Sequence, residues 1–116
     1  MDENGQYTGG AIAPGIRLRY EAMNSYTANL PLLTRTEEHN LIGSTTAEAM
    51  HSGVINGVVE EIDGIINRYK EDFNVQTVVI TGGDGEFLSK RLKNSIFALS
   101  NFLLEGLNYI LINSND

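Results

Sequence analysis

The segment TVVITGGDGEFL, Thr77 to Leu88, limits the fold more than any other part of the chain. A run of β-branched residues ends in the pair Gly82-Gly83, and an acidic, helix-like stretch begins at once. β-Branched side chains suit a pleated strand, and an unbroken apolar run such as VQTVVI is the pattern of a strand buried on both faces. A strand that passes straight into a helix belongs to an α/β fold. Glycines at such a turn carry no Cβ, so a ligand can lie flat against the backbone.

The rest of the chain, 116 residues in all, supplies helices and one more extended run in the length of a single small domain. Pro14-Gly15 ends the extended stretch QYTGGAIA. In IRLRYEAMNSYTANL, Ile16, Tyr20, Met23 and Tyr26 or Thr27 fall at helical spacing, with Pro31 as the stop and TRTEEHN as a polar loop. Thr45-x-x-Glu48 is a capping-box pattern and predicts a long helix from Ala47 to about Phe73. Its apolar face reads Met50, Val54, Val58, Ile62, Ile65, Tyr69, and Asn74 marks its end. EFLSKRL reads as a short helix and NFLLEGLNYILI as a closing one. The expected order is strand, helix, helix, strand, helix, helix, with no internal repeat.

Gly53, Gly57 and Gly64, four and seven residues apart, stack on one side of the long helix. Each costs roughly 1 kcal/mol against alanine in a helix. Three on one side predict a close approach, by a neighbouring element of the same chain, a symmetry mate or a ligand.

Near the start, Asn4-Gly5 is a two-residue hairpin signal, yet only Met1 to Glu3 precede it. The sequence therefore reads as the back part of a longer protein, with a loose N-terminal loop as the alternative.

Charge narrows the partners. The net charge of -7 and the pI of about 4.7 argue against nucleic acid and against an anionic membrane surface. The absence of cysteine excludes disulfides and thiolate metal sites and points to a cytoplasmic setting. His39 and His51 lack a partner at ligand spacing and read as surface residues. The acids of EEHN and VVEEIDG read as solvated faces, and no Ser-His-acid constellation is recognisable.

Two glycine turns remain. Gly9-Gly10 and Pro14-Gly15 lead into a helix N-terminus, where outward amides would accept a polar or anionic ligand. TGGDGEFL lacks the Gly-Lys-Ser/Thr ending of a Walker phosphate loop. Asp84 and Glu86 at the helix start would repel a phosphate, so the ligand expected at Gly82-Gly83 is the nucleoside end of a nucleotide. The competing reading is a plain strand-to-helix turn with Asp84 as N-cap.

In order, GGAIAPGIRLRYEAMNSYTANLPLL, LIGSTTAEAMHSGVINGVVEEIDGII, VVITGGDGEFLSKRL and FLLEGLNYIL strongly resemble the C-terminal half of type III pantothenate kinase. This family belongs to the acetate and sugar kinase, Hsp70 and actin superfamily, and the resemblance covers nearly the whole chain. GG-x-I-x-PG with T-x-x-LP, and T-x-x-x-x-x-SG with a later TGG, are fairly specific in combination.

The resemblance implies a ribonuclease H-like lobe of an actin-like ATPase fold, here a single C-terminal lobe over residues 1–116, truncated at its N-terminus. It implies ATP-dependent phosphorylation of pantothenate, the first step toward coenzyme A, by a homodimer that uses magnesium and a monovalent cation, potassium or ammonium. Thr81, Gly82 and Gly83 resemble the adenosine motif. Thr27 resembles the threonine that hydrogen-bonds pantothenate, and Gly9, Gly10, Pro14 and Gly15 would shape the same pocket. The glycine-bearing helix would lie near the subunit contact.

The departures matter equally. The family's Asp-x-Gly-Asn phosphate motif, its Gly-x-Asp-Arg segment with the aspartate base, and its Asp-x-Gly-Thr-Ala-x-Thr motif with the cation ligand are absent from this sequence. Phosphoryl transfer depends on such positioning and charge-stabilising groups. The chain alone is therefore expected to lack kinase activity, with a non-catalytic dimerisation or ligand-sensing module as the alternative function.

Overall fold

The apolar run after Asn74 becomes the central strand of a parallel sheet. The structure, a computed structural model, describes residues 10–75, 77–98 and 109–113. Strand β1 (Thr77–Thr81) lies between β2 (Phe97–Ala98) and β3 (Tyr109–Asn113), both parallel to it. Val79 sits opposite Phe97 on one side and Leu111 on the other. Val78, Val79 and Ile80 are all buried, as expected of a parallel strand covered on both faces.

β3 corrects the closing helix predicted from NFLLEGLNYILI. Residues 101–108 lie outside the described residues, but Tyr109–Asn113 is extended and runs in register with β1 from Thr77 to Thr81. A short apolar run fits either period, and the free edge of β1 decides the matter. Of the extended stretch QYTGGAIA, residues up to Gly9 are outside the description, as is the Asn4-Gly5 turn, and Gly10 to Ala13 form no strand.

Helix α1 (Ile16–Ser25) stops well before Pro31. Side chains brace the turn that ends it. The Asn24 amide donates to the Leu30 carbonyl at 2.9 Å, and Thr27 Oγ1 donates to the Met23 carbonyl while accepting from Leu30 N–H at 3.3 Å.

The predicted long helix is present but not uniform. It runs as α2 (Thr46–His51), a π-helical segment (Ser52–Asn56) and α3 (Gly57–Phe73). Thr45 Oγ1 caps it by accepting from Glu48 N–H at 3.1 Å. The Glu48 carboxylate accepts from Ser44 Oγ and Asn40 Nδ2, each at 3.3 Å. Hydrogen bonding from Thr45, and then from Asn40, keeps that carboxyl below its usual range. Asn74, in the left-handed region at φ 51°, ends the helix as its sequence position suggests.

Met50, Val54, Val58 and Ile66 are buried and Ile62 is half-buried, an unbroken four-residue spacing. In a 3.6-residue helix that spacing drifts around the axis, and the wider π turn absorbs part of the drift. Ile66, 1% exposed, therefore takes the core position predicted for Ile65, which is 40% exposed. Val54 and Val58, with Ile62 packed against them, close a core with Ile16 and Tyr20 of α1, Ile55, Val59, Ile80 and, after β1, Phe87, Leu88 and Leu92.

The close approach expected at the helix glycines does not come from this chain's described residues. A Cβ on Gly53 or Gly64 would meet nothing within 4 Å, and one on Gly57 would only graze the Arg19 guanidinium at 4.0 Å.

Candidate functional site

Thr81, Gly82 and Gly83 lie where β1 ends, at the carboxyl edge of the parallel sheet. In open α/β sheets this is the edge at which ligands bind. Gly82 has φ 102°, a conformation that side-chain-bearing residues rarely adopt, so glycine here is a backbone requirement. The turn is closed by Gly85 N–H donating to the Gly82 carbonyl at 3.3 Å, and Gly83 is exposed. Thr81 Oγ1 reaches the Ile112 carbonyl of β3 at 3.4 Å, which ties the turn to the neighbouring strand.

Asp84 occupies the N-cap position of α4 (Gly85–Ser89), but its side chain makes no capping hydrogen bond. Its Oδ1 instead lies 3.0 Å from Arg35 Nε. Glu86 pairs loosely with Lys90 at 3.8 Å. The acidic repulsion expected to keep phosphate from this turn is therefore partly offset by Lys90, four residues after Glu86, and by Arg35, whose approach the linear pattern does not reveal.

Arg35 comes from the segment between α1 and α2, which crosses over α4. Its Cζ is 4.0 Å from the centroid of the Phe87 ring, and Arg91 Cζ is 3.6 Å from the same centroid. Glu37 stands between the two cations, with Oε1 at 3.5 Å from Arg35 and Oε2 at 3.4 Å from Arg91. Farther along the same segment, His39 Nε2 pairs with Asn56 Oδ1 at 2.9 Å. Asn56 Nδ2 donates to Ser52 Oγ at 3.1 Å, and the Ser52 hydroxyl donates to the Leu41 carbonyl. The π-helical segment thus presents the polar pair that fastens this connection.

The second glycine turn is held from α1. Gly15 is the N-cap of α1, and Arg19 Nε donates to the Pro14 carbonyl at 2.8 Å while its Nη2 pairs with Glu61 at 2.7 Å. Pro14 lines an open groove of about 560 Å³ with Leu18, Ala22, Met23, Tyr26 and Val54. Thr27 directly follows Tyr26 and is exposed, and Gly10 is exposed in irregular chain. Gly9 lies outside the described residues. Neither this groove nor the hollow lined by Glu37, Glu38, His39 and Asn40 includes Thr27, Thr81, Gly82 or Gly83. The structure thus brings Pro14 and Tyr26 to one groove, and leaves the Thr81–Gly83 turn apart from it.

The histidines are not the loose surface residues expected. His39 pairs with Asn56, and His51 Nδ1 lies 2.7 Å from the hydroxyl of Tyr20, which is 1% exposed. Burial pushes the Tyr20 hydroxyl up to about 12. Arg35 and Arg91 escaped sequence reasoning because nothing in their local spacing announces a partner so far along the chain. Among the described residues no group of three His, Cys, Asp or Glu side chains could hold a metal ion, and no helix is long and apolar enough to cross a membrane.

Residues 1–68 match the family model for type III pantothenate kinase. A type III pantothenate kinase of Flavobacterium johnsoniae is 61% identical over 107 residues, 92% of this chain and 44% of that protein. Those of Flavobacterium psychrophilum and Christiangramia forsetii are 58% and 50% identical, over 93% and 94% of this chain and 45% of each relative. The chain spans about half the length of these curated relatives. The family match takes in the Gly9–Gly15 turn, the relatives align over more than nine-tenths of the chain, and the chain belongs to the type III pantothenate kinase family.

Proposed function

We propose that this chain is part of an ATP-dependent kinase that phosphorylates pantothenate to 4′-phosphopantothenate, and that it forms a ribonuclease H-like lobe of an actin-like fold. One structural observation carries the nucleotide half of this reading. The Thr81-Gly82-Gly83 turn, with Gly82 at φ 102°, sits at the carboxyl end of the central strand, where backbone can meet a flat ligand without a Cβ in the way. The residues present suit an adenosine better than a phosphate cradle, since the turn lacks the lysine of a Walker loop.

In this reading Thr81, Gly82 and Gly83 receive the nucleoside. Thr27, Gly9, Gly10, Pro14 and Gly15 shape the pantothenate pocket, and the groove that Pro14 lines with Tyr26 supports this by offering an apolar wall. Magnesium and a potassium or ammonium ion would be held by phosphate oxygens and by residues this sequence does not contain. The family homodimer would cover the open glycine face of the long helix. The acidic, cysteine-free composition supports a cytoplasmic setting without nucleic-acid or membrane partners.

Calorimetric titration of the chain with adenosine and ATP, beside a coupled ADP-release assay with pantothenate, magnesium and potassium, tests the reading. Nucleoside binding without turnover is the expected result. Absence of any adenosine or ATP binding would refute the assignment of the turn, and turnover by the chain alone would show that the family's aspartate base and phosphate motifs are dispensable.

A further inference from the structure

We infer that Arg35 is a positioning residue for the glycine turn, holding Gly82-Gly83 through Asp84 and Phe87 in the shape that receives a nucleotide. The inference rests on the nucleoside reading of that turn. Glycines carry no side chain with which to anchor themselves, and Gly82 holds a φ of 102°. A stable turn of this kind needs its anchors on the residues next to it. Asp84 directly follows Gly83, and its carboxylate is spent on Arg35 Nε at 3.0 Å rather than on capping α4.

The same guanidinium lies over Phe87, a ring only 5% exposed, so Arg35 grips the turn and the helix behind it at once. Arg91 completes the grip by lying over that ring and donating from Nη1 to the Phe87 carbonyl at 2.8 Å. Two guanidinium groups at one ring would repel each other, and Glu37, paired with both, offsets that repulsion. A lysine at position 35 would keep the charge. It would lose the planar stacking on Phe87 and the fixed donor at Nε.

The test uses the full chain with Arg35→Ala, Arg35→Lys, Asp84→Asn and the double variant Arg35→Ala/Asp84→Asn. Three quantities are read: amide hydrogen exchange at Gly82, Gly83 and Gly85, affinity for adenosine and ATP by calorimetry, and the melting temperature. Arg35→Ala should speed exchange at those amides about tenfold and weaken adenosine binding to a similar degree. Exchange in α3 should stay as it was. Arg35→Lys should recover little of either loss. The double variant should be no worse than Arg35→Ala alone, because both changes break one pair.

Unchanged exchange at Gly82 to Gly85 in a folded Arg35→Ala chain would overturn the inference, as would losses that simply add in the double variant. Should Arg35→Ala melt at room temperature, Asp84→Asn carries the same exchange test. Wild-type protein that binds neither adenosine nor ATP would instead refute the nucleoside reading, while the exchange data still decide whether Arg35 holds the turn.

Discussion

The Asp63 carboxylate accepts the backbone N–H of Lys93 at 2.9 Å and that of Asn94 at 3.1 Å, fastening the middle of α3 to the segment that follows α4. Asn94 Nδ2 adds a bond to Asp63 Oδ1 at 3.0 Å, and Asp63 is 5% exposed. Asp63→Ala would leave these donors without their acceptor at a cost of about 1–3 kcal/mol, and Asp63→Asn less, since one acceptor oxygen survives. Urea denaturation of the variants measures both.

Asp63 also gives stability a pH dependence. Burial pushes its carboxyl up, but the Lys93 amide, the Asn94 donors and the Lys93 charge together outweigh burial and hold it below the ordinary value of 3.8. A carboxyl depressed in the folded state adds stability that is present above its unfolded pKa and lost as pH falls through the folded one. Unfolding free energy should therefore drop as pH is lowered below about 4. Asp63→Asn should flatten that acid limb. Matching acid limbs in the two proteins would show that other carboxylates account for it.

Tyr20 gives the opposite limb. Its hydroxyl, raised to about 12 by burial and set 2.7 Å from His51 Nδ1, stays neutral in the folded chain after an unfolded tyrosine has ionised. The contribution is whole below pH 10 and is lost as pH rises toward 12. Phenolate absorbance in Tyr20→Phe should lack the component that titrates at about 12 in the wild type. The variant should also lose about 1 kcal/mol near neutrality, because the hydrogen bond to His51 goes.

What the sequence discloses and what it hides divide along contact range. The β1 run, the Thr45 cap and the Asn74 stop depend on neighbours a few residues away, and each appears where local pattern puts it. The glycine turn was legible for the same reason, since strand, glycines and helix follow one another directly. Tyr109–Asn113 was not, because an apolar run becomes a strand only when β1 offers it an edge. The π-helical segment was hidden in a spacing that looks α-helical over any single turn. Arg35 with Asp84 and Asp63 with Lys93 join residues far apart in sequence, and neither the partner nor the geometry of such a pair is written in local spacing.

Gly43 and the helix glycines make a contrast that simple mutagenesis can read. A Cβ on Gly43 would collide with Ala49 N and with the Glu48 carbonyl carbon, both backbone atoms. The first turn of α2 cannot yield without losing its cap, so Gly43→Ala should destabilise by about 1–3 kcal/mol or more. Thermal melting is sufficient to detect this. A variant as stable as wild type would mean that the connection before α2 can retreat at little cost.

Gly53 should behave in the opposite way, and its behaviour bears on self-association. It lies in the helix with open space where its Cβ would be, and it lines the groove formed by Pro14, Leu18, Ala22, Met23 and Tyr26. In an isolated chain, Gly53→Ala meets no obstacle and gains up to about 1 kcal/mol of helix propensity. If the proposed homodimer packs across this face, the added methyl stands between the two copies. Melting temperature at low concentration should then rise while the dimer dissociation constant, from sedimentation, increases about tenfold. A dimer untouched by Gly53→Ala would move the seam to another surface. A drop in the melting temperature at low concentration would mean that Gly53 is confined within its own chain after all.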